Sequence, residues 1–166
     1  MDREIKKIRL LMSRTEALIQ LAEEASELAI ASLNVNRKVP FAEWMYDVID
    51  DEFLEEIADV KLCIDIAGDF NAETFDIYIH ELEIFEVLAK YCCELSKAAI
   101  KLRRTIQAEV NPTPVKYKDA RADLVKKISN VKSCINCIGD YWDCDIVNNI
   151  YKTKALRCID RYNQII

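Results

Sequence analysis

Glycine is almost missing from this chain: there are two in 166 residues, alongside three prolines and one histidine. So few turn formers exclude a fold built from many short strands and hairpins, and leave an all-α class as the expectation. A lone histidine, His80, excludes a histidine-rich zinc centre and the Glu-x-x-His pattern of ferritin-like di-iron bundles. No apolar run approaches the ~18 residues that a membrane helix needs, so no membrane partner is expected. The N-terminal MDREIKKIRLLMSRTE is charged throughout and lacks the apolar centre of a signal peptide, which points to a cytoplasmic location.

Cysteine, in contrast, is plentiful. There are seven, an odd number, with Cys134 and Cys137 in a CxxC and Cys92 beside Cys93. A structural zinc site would need a second ligand pair at suitable spacing, and none is present. Cys63 and Cys134 sit inside apolar patterns and read as small core residues.

The formal net charge of −6 is unevenly spread. Residues 1–83 hold 20 acidic and 8 basic side chains, whereas residues 84–166 hold 9 acidic and 15 basic. The two halves would attract each other, or divide a task. A sequence pI near 5.0 and the lack of a recognition motif disfavour nucleic acid as a partner.

The chain repeats itself. LEEIADVKLCIDIAGDF (54–70) returns 71 positions later as VKKISNVKSCINCIGDY (125–141). Ile57, Val60, Lys61, Cys63, Ile64, Gly68 and Asp69 reappear as Ile128, Val131, Lys132, Cys134, Ile135, Gly139 and Asp140. Upstream, EEASELAIASLNVNR (23–37) aligns with KYCCELSKAAIKLRR (90–104). The apolar residues follow the i, i+3, i+4 rule, and each glycine stands where a helix C-terminal cap would. Helices are expected near 2–35, 43–68, 72–104, 116–139 and 144–165, with breaks at Val39-Pro40, Gly68–Asn71, Asn111–Pro114 and Gly139–Asp143. Two repeats, 1–80 and 81–166, that each expose an apolar face should pack on each other. The expected architecture is a helical bundle forming an intramolecular pseudo-dimer.

What the second copy does not keep is its acids. Glu24 and Glu27 are three apart, as are Glu56 and Asp59, so each pair shares a helix face. In the second copy Glu23, Glu24, Glu56 and Asp59 become Lys90, Tyr91, Lys127 and Asn130, and only Glu27 survives, as Glu94. Taken alone, either acidic pair would be solvated surface. Selective loss beside retained apolar neighbours argues for a role other than packing. If the two helices run antiparallel, four carboxylates converge, and an oxygen-only set suits Mg²⁺, or Mn²⁺, better than zinc.

The order EExxE (Glu23, Glu24, Glu27), 28 residues, then ExxD (Glu56, Asp59) resembles the all-α nucleoside triphosphate pyrophosphohydrolases. That superfamily includes MazG-like enzymes, dimeric dUTPases and phosphoribosyl-ATP pyrophosphohydrolase. LEEIADV (54–60) is close to the MazG-like form of the second motif; NPTPV (111–115) and Lys154-x-x-Arg157-x-x-x-Arg161 are similar to the loop and basic C-terminal helix of one branch. The resemblance spans nearly the whole chain as a tandem repeat whose second copy is degenerate.

It implies hydrolysis of a nucleoside triphosphate to monophosphate and pyrophosphate at one site per chain. Glu24, Glu27, Glu56 and Asp59 would be the metal ligands, with Mg²⁺ the cofactor. Glu23 or Glu55 would support the metal ligands from behind or take the proton of the attacking water. Lys154, Arg157 and Arg161 would contact the phosphates, and Trp44 would stack on the base or else lie over the core. A homodimer of such pseudo-dimers is compatible with the resemblance. The alternative is a weakly active or inactive relative that binds nucleotides or a protein partner.

Overall fold

The computed structural model describes residues 1–68, 70–77, 79–80, 83–107, 115–142 and 144–165, without the side chains of Tyr46, Asp140 and Ile165. Helices are the only regular elements among the described residues, with no strand. Six α-helices follow one another: α1 (Asp2–Leu11), α2 (Arg14–Lys38), α3 (Asp51–Ala67), α4 (Ile84–Ile106), α5 (Tyr117–Ile138) and α6 (Cys144–Ile165). None is long and apolar enough to cross a membrane.

The helix expected over 2–35 is two helices. Met12 adopts an extended conformation (φ −106°, ψ 133°), and Ser13 then caps α2, its Oγ accepting from Glu16 N at 3.2 Å. Ser13-Arg14-Thr15-Glu16 has the S-x-x-E form of a helix start, a local signal strong enough to interrupt the apolar periodicity. Replacing such a cap by alanine costs about 1 kcal/mol.

α3 starts at Asp51 rather than near residue 43. Asp50 fixes that boundary: its Oδ1 accepts from Phe53 N at 3.0 Å, and its Oδ2 receives Lys38 Nζ at 2.5 Å. The last turn of α2 is thereby tied to the first turn of α3. Between them lie two single 3₁₀ turns, Val39–Phe41 and Met45–Asp47, in place of a helix.

α4 begins at Ile84, not near 72. The described residues of 70–80 are non-helical and lie against α5: Phe75 N donates to Ser133 Oγ at 2.9 Å, and Cys137 Sγ approaches Ile77 O at 3.8 Å. Once a backbone N–H is bonded to a neighbouring helix's side chain, it is lost to a local helical ladder. Asn111–Pro114, singled out as a break and part of a family-like loop, lie outside the described residues.

α2 is central. It packs against α3 on one side and, most extensively, against α4, which in turn packs on α5; α6 covers α3 and α1. The buried faces of α2 (Ala22, Ala25, Ala29, Ser32) and α4 (Ala89, Cys92, Ala98, Ala99) are rich in small residues, which let helix axes approach closely. Ser26 Oγ donates to Ser96 Oγ across the pair at 3.1 Å. At the end of the core, Phe53 stands edge-on to Phe85 and Trp142, with ring centroids 5.5 and 6.2 Å apart. Trp142 is thus partly buried and packs against the core. Fully burying a ring such as Phe53 contributes about 1.5–3 kcal/mol.

The two glycines behave differently. Gly68 ends α3 at φ 152°, a value that side-chain-bearing residues rarely adopt. Gly139 has φ −58° and ψ −18°, continuing α5 into a 3₁₀ turn. Both glycines stand at the expected C-cap positions, but only Gly68 takes a backbone that favours glycine.

Candidate functional site

The acidic patch forms where α2 packs on α3. Because residues three apart on a helix lie one above the other, Glu24 and Glu27 project from the same face of α2, and Glu56 projects from α3. One carboxylate oxygen from each of the three lies within 4.8 Å of the others. Burial differs within the set: Glu24 and Glu56 are half-buried and Glu27 is exposed. Glu56 Oε2 is shielded from solvent and has no hydrogen-bond partner among the described residues.

Electrostatics follow from this crowding. Partial burial, then the negative charges of Asp59, Glu27 and Glu56, push the Glu24 carboxyl from its ordinary 4.5 up to about 7. Glu56 is also pushed up to about 7, by burial first and then by Glu27 and Asp59. The ammonium of Lys154 acts the other way on both. Near neutral pH this site holds carboxylates only half committed to their charge, and a cation would complete the ionisation.

Asp59 lies one turn beyond Glu56 on α3 but outside the close triplet. Its Oδ2 accepts a hydrogen bond from Lys154 Nζ, reaching over from α6. The same ammonium is 3.7 Å from Glu55 Oε2. Burial opposes the charge of Lys154, but the hydrogen bond to Asp59 and the fields of Asp59, Glu55 and Glu56 outweigh it, so its pKa is raised. Lys154 thus joins the basic half of the chain to the acidic half.

The remaining predicted residues lie further out. Glu23 is exposed on α2, Glu55 is 57 % exposed on α3, and Arg157 and Arg161 are exposed on α6 beyond Lys154. Trp44 is 57 % exposed in the α2–α3 connection, where its backbone N–H donates to Asp47 Oδ2 at 3.1 Å. His80 is also exposed.

The second copy shows what the same helix pairing does with different side chains. Glu94 on α4 and Lys127 on α5, the counterparts of Glu27 and Glu56, form an ion pair at 2.7 Å. The bond to Glu94 raises the Lys127 pKa, against a smaller opposing effect of burial. The position that crowds negative charge in one copy is internally neutralised in the other.

Sequence reasoning missed one polar junction on α3. Tyr151 on α6 donates its hydroxyl to Asp65 Oδ2 at 2.6 Å, and Arg9 Nε on α1 donates to the Asp65 carbonyl at 2.7 Å. The replacement of Asp65 by Asn136 in the second copy was the available signal. The cysteines form no metal site among the described residues. All seven are free, and burial pushes the Cys63, Cys92 and Cys134 thiols up, Cys134 to about 12. No protein-family model, no curated protein and no solved structure matches this chain.

Proposed function

We propose that this chain is a Mg²⁺-dependent nucleoside triphosphate pyrophosphohydrolase similar to the MazG-like enzymes, with one site per chain. The observation that carries this reading is the convergence of Glu24, Glu27 and Glu56 from two separate motifs to within 4.8 Å. On the same reading, 1–80 and 81–166 form a pseudo-dimer within one chain. Its support is the parallel between the Glu27/Glu56 and Glu94/Lys127 placements, each bridging consecutive long helices.

The donor set fits a hard divalent cation. All three groups are carboxylates, and the orphaned Glu56 Oε2 is a shielded acceptor without a donor among the described residues. Glu24, Glu27 and Glu56 would hold Mg²⁺ or Mn²⁺, with Asp59 the fourth acid in reach. When bound, such a cation neutralises phosphate oxygens and acidifies an attacking water. Glu55 or Glu23, both exposed, would take up the water's proton. Lys154, Arg157 and Arg161 line up on α6 at i, i+3 and i+7 and would contact the phosphates. Trp44 offers an exposed aromatic face for a base.

A second reading is a nucleotide-binding or protein-interaction relative with little catalysis. It is favoured by the Lys154–Asp59 bond, which occupies one of the four acids. Pyrophosphate release with Mg²⁺ across NTPs and dNTPs, for the native chain and Glu56→Gln, separates the two. Activity lost in the variant supports the enzyme. Equal, negligible rates with retained nucleotide binding support the second reading.

A further inference from the structure

The proposed function gives Lys154 to the substrate, yet in this structure its ammonium is bonded to Asp59. Three further observations bear on that contact. Asp59 is the one acid of the four outside the 4.8 Å triplet, although it sits a single helical turn from Glu56. Lys154 reaches it from another helix, 95 residues away in sequence, through a long flexible side chain. And in the second copy the neutralising cation, Lys127, stands on the paired helices themselves, in the position of Glu56.

The contrast is one of origin: Lys127 neutralises Glu94 from within its own helix pair, whereas Lys154 comes from a helix outside the α2–α3 pair. Lys154 can swing away on four rotatable bonds while α6 stays packed on α3. A lysine also binds a carboxylate as a point charge, without the two-pronged grip of arginine, which makes partner exchange easy.

We propose that Lys154 is an exchangeable counter-cation: it holds Asp59 in the absence of a divalent cation and releases it when that cation is bound by Glu24, Glu27 and Glu56. Asp59 then completes the carboxylate set, and the freed ammonium faces the anionic substrate. Site loading and readiness for the phosphates are thereby coupled through one side chain. The inference rests on the metal reading of the acidic cluster, and adds to it an order of events.

The test reads Lys154 itself. The native chain is acetylated at its lysines with and without saturating Mn²⁺, and labelling is quantified peptide by peptide while calorimetry records Mn²⁺ binding. Lys127 is a matched internal control, since both lysine side chains are 22 % exposed and both are ion-paired. The expected result is a several-fold rise in Lys154 labelling on Mn²⁺ binding, with Lys127 unchanged. Lys154→Met should bind Mn²⁺ about fivefold more tightly, the scale of one partly exposed ion pair, and Lys154→Arg should not. Mn²⁺ binding without any change at Lys154 would overturn the exchange and leave the metal site standing. No Mn²⁺ binding by either the native chain or Lys154→Met would overturn both.

Discussion

The α2–α3 and α4–α5 pairs put similar apolar skeletons to opposite electrical use. In the first, Glu24, Glu27 and Glu56 crowd together and two of them are driven toward neutrality near pH 7. In the second, Glu94 and Lys127 cancel each other at 2.7 Å. The α4–α5 pair packs without that acid set, with an ion pair at the matching sequence positions. Like charges held together oppose folding, and the α4–α5 pair avoids that cost.

The comparison can be broken most decisively by activity. Glu56→Gln should lower Mg²⁺-dependent pyrophosphate release on the order of 100-fold or more, at least what loss of a metal-site residue's support costs. Glu94→Gln, at the counterpart of Glu27 on the neutralised pair, should leave the rate unchanged in the same assay. Equal losses in both would erase the functional difference between the copies.

Stability against pH sharpens the contrast next. The carboxyls of Glu24 and Glu56 have folded-state pKa values of about 7, above their ordinary 4.5. Folding therefore binds protons at these groups, and their contribution is fully present below pH 4.5 and lost as pH rises through 7. In EDTA, thermal melts should show a declining Tm between pH 5 and 8. Glu56→Gln should flatten that decline, and Mg²⁺ should reverse it in the native chain. A Tm that is flat across this window without metal would mean the acids are not strained.

The glycines offer a smaller, purely conformational test. Gly68→Ala should destabilise by about 1 kcal/mol, since φ 152° is strained for any side chain even where space is ordinary. Gly139→Ala should be neutral or stabilising by up to about 1 kcal/mol, because its backbone is right-handed and nothing lies within 4 Å of an added Cβ. Denaturant melts of the two variants measure the difference directly. Smallest of all, Lys127→Met should cost at most about 1 kcal/mol, as its pair with Glu94 is partly solvated and screened by salt.

Much of this molecule was legible before its structure. The all-α class followed from scarce glycine and proline with i, i+3, i+4 periodicity, and α5 and α6 fell close to their expected bounds. Where boundaries slipped, a side chain outside the periodic pattern decided them. Ser13 restarted a helix whose apolar stripe ran on, Asp50 delayed α3, and Ser133 on α5 drew the backbone of Phe75 out of a helix. The first two are local capping signals that prevailed over the apolar periodicity. The third joins residues 58 apart, and no local pattern contains it.

The site divides along the same line. That Glu24 and Glu27 share a face, and Glu56 and Asp59 another, is dictated by 3.6 residues per turn and needs only the sequence. That the two faces meet, that Asp59 is claimed by Lys154 from 95 residues away, and that Lys127 answers Glu94 were decided by tertiary packing alone. Helix periodicity acts over a few residues, whereas charge pairing acts over a few ångströms, and only the folded chain converts one distance into the other.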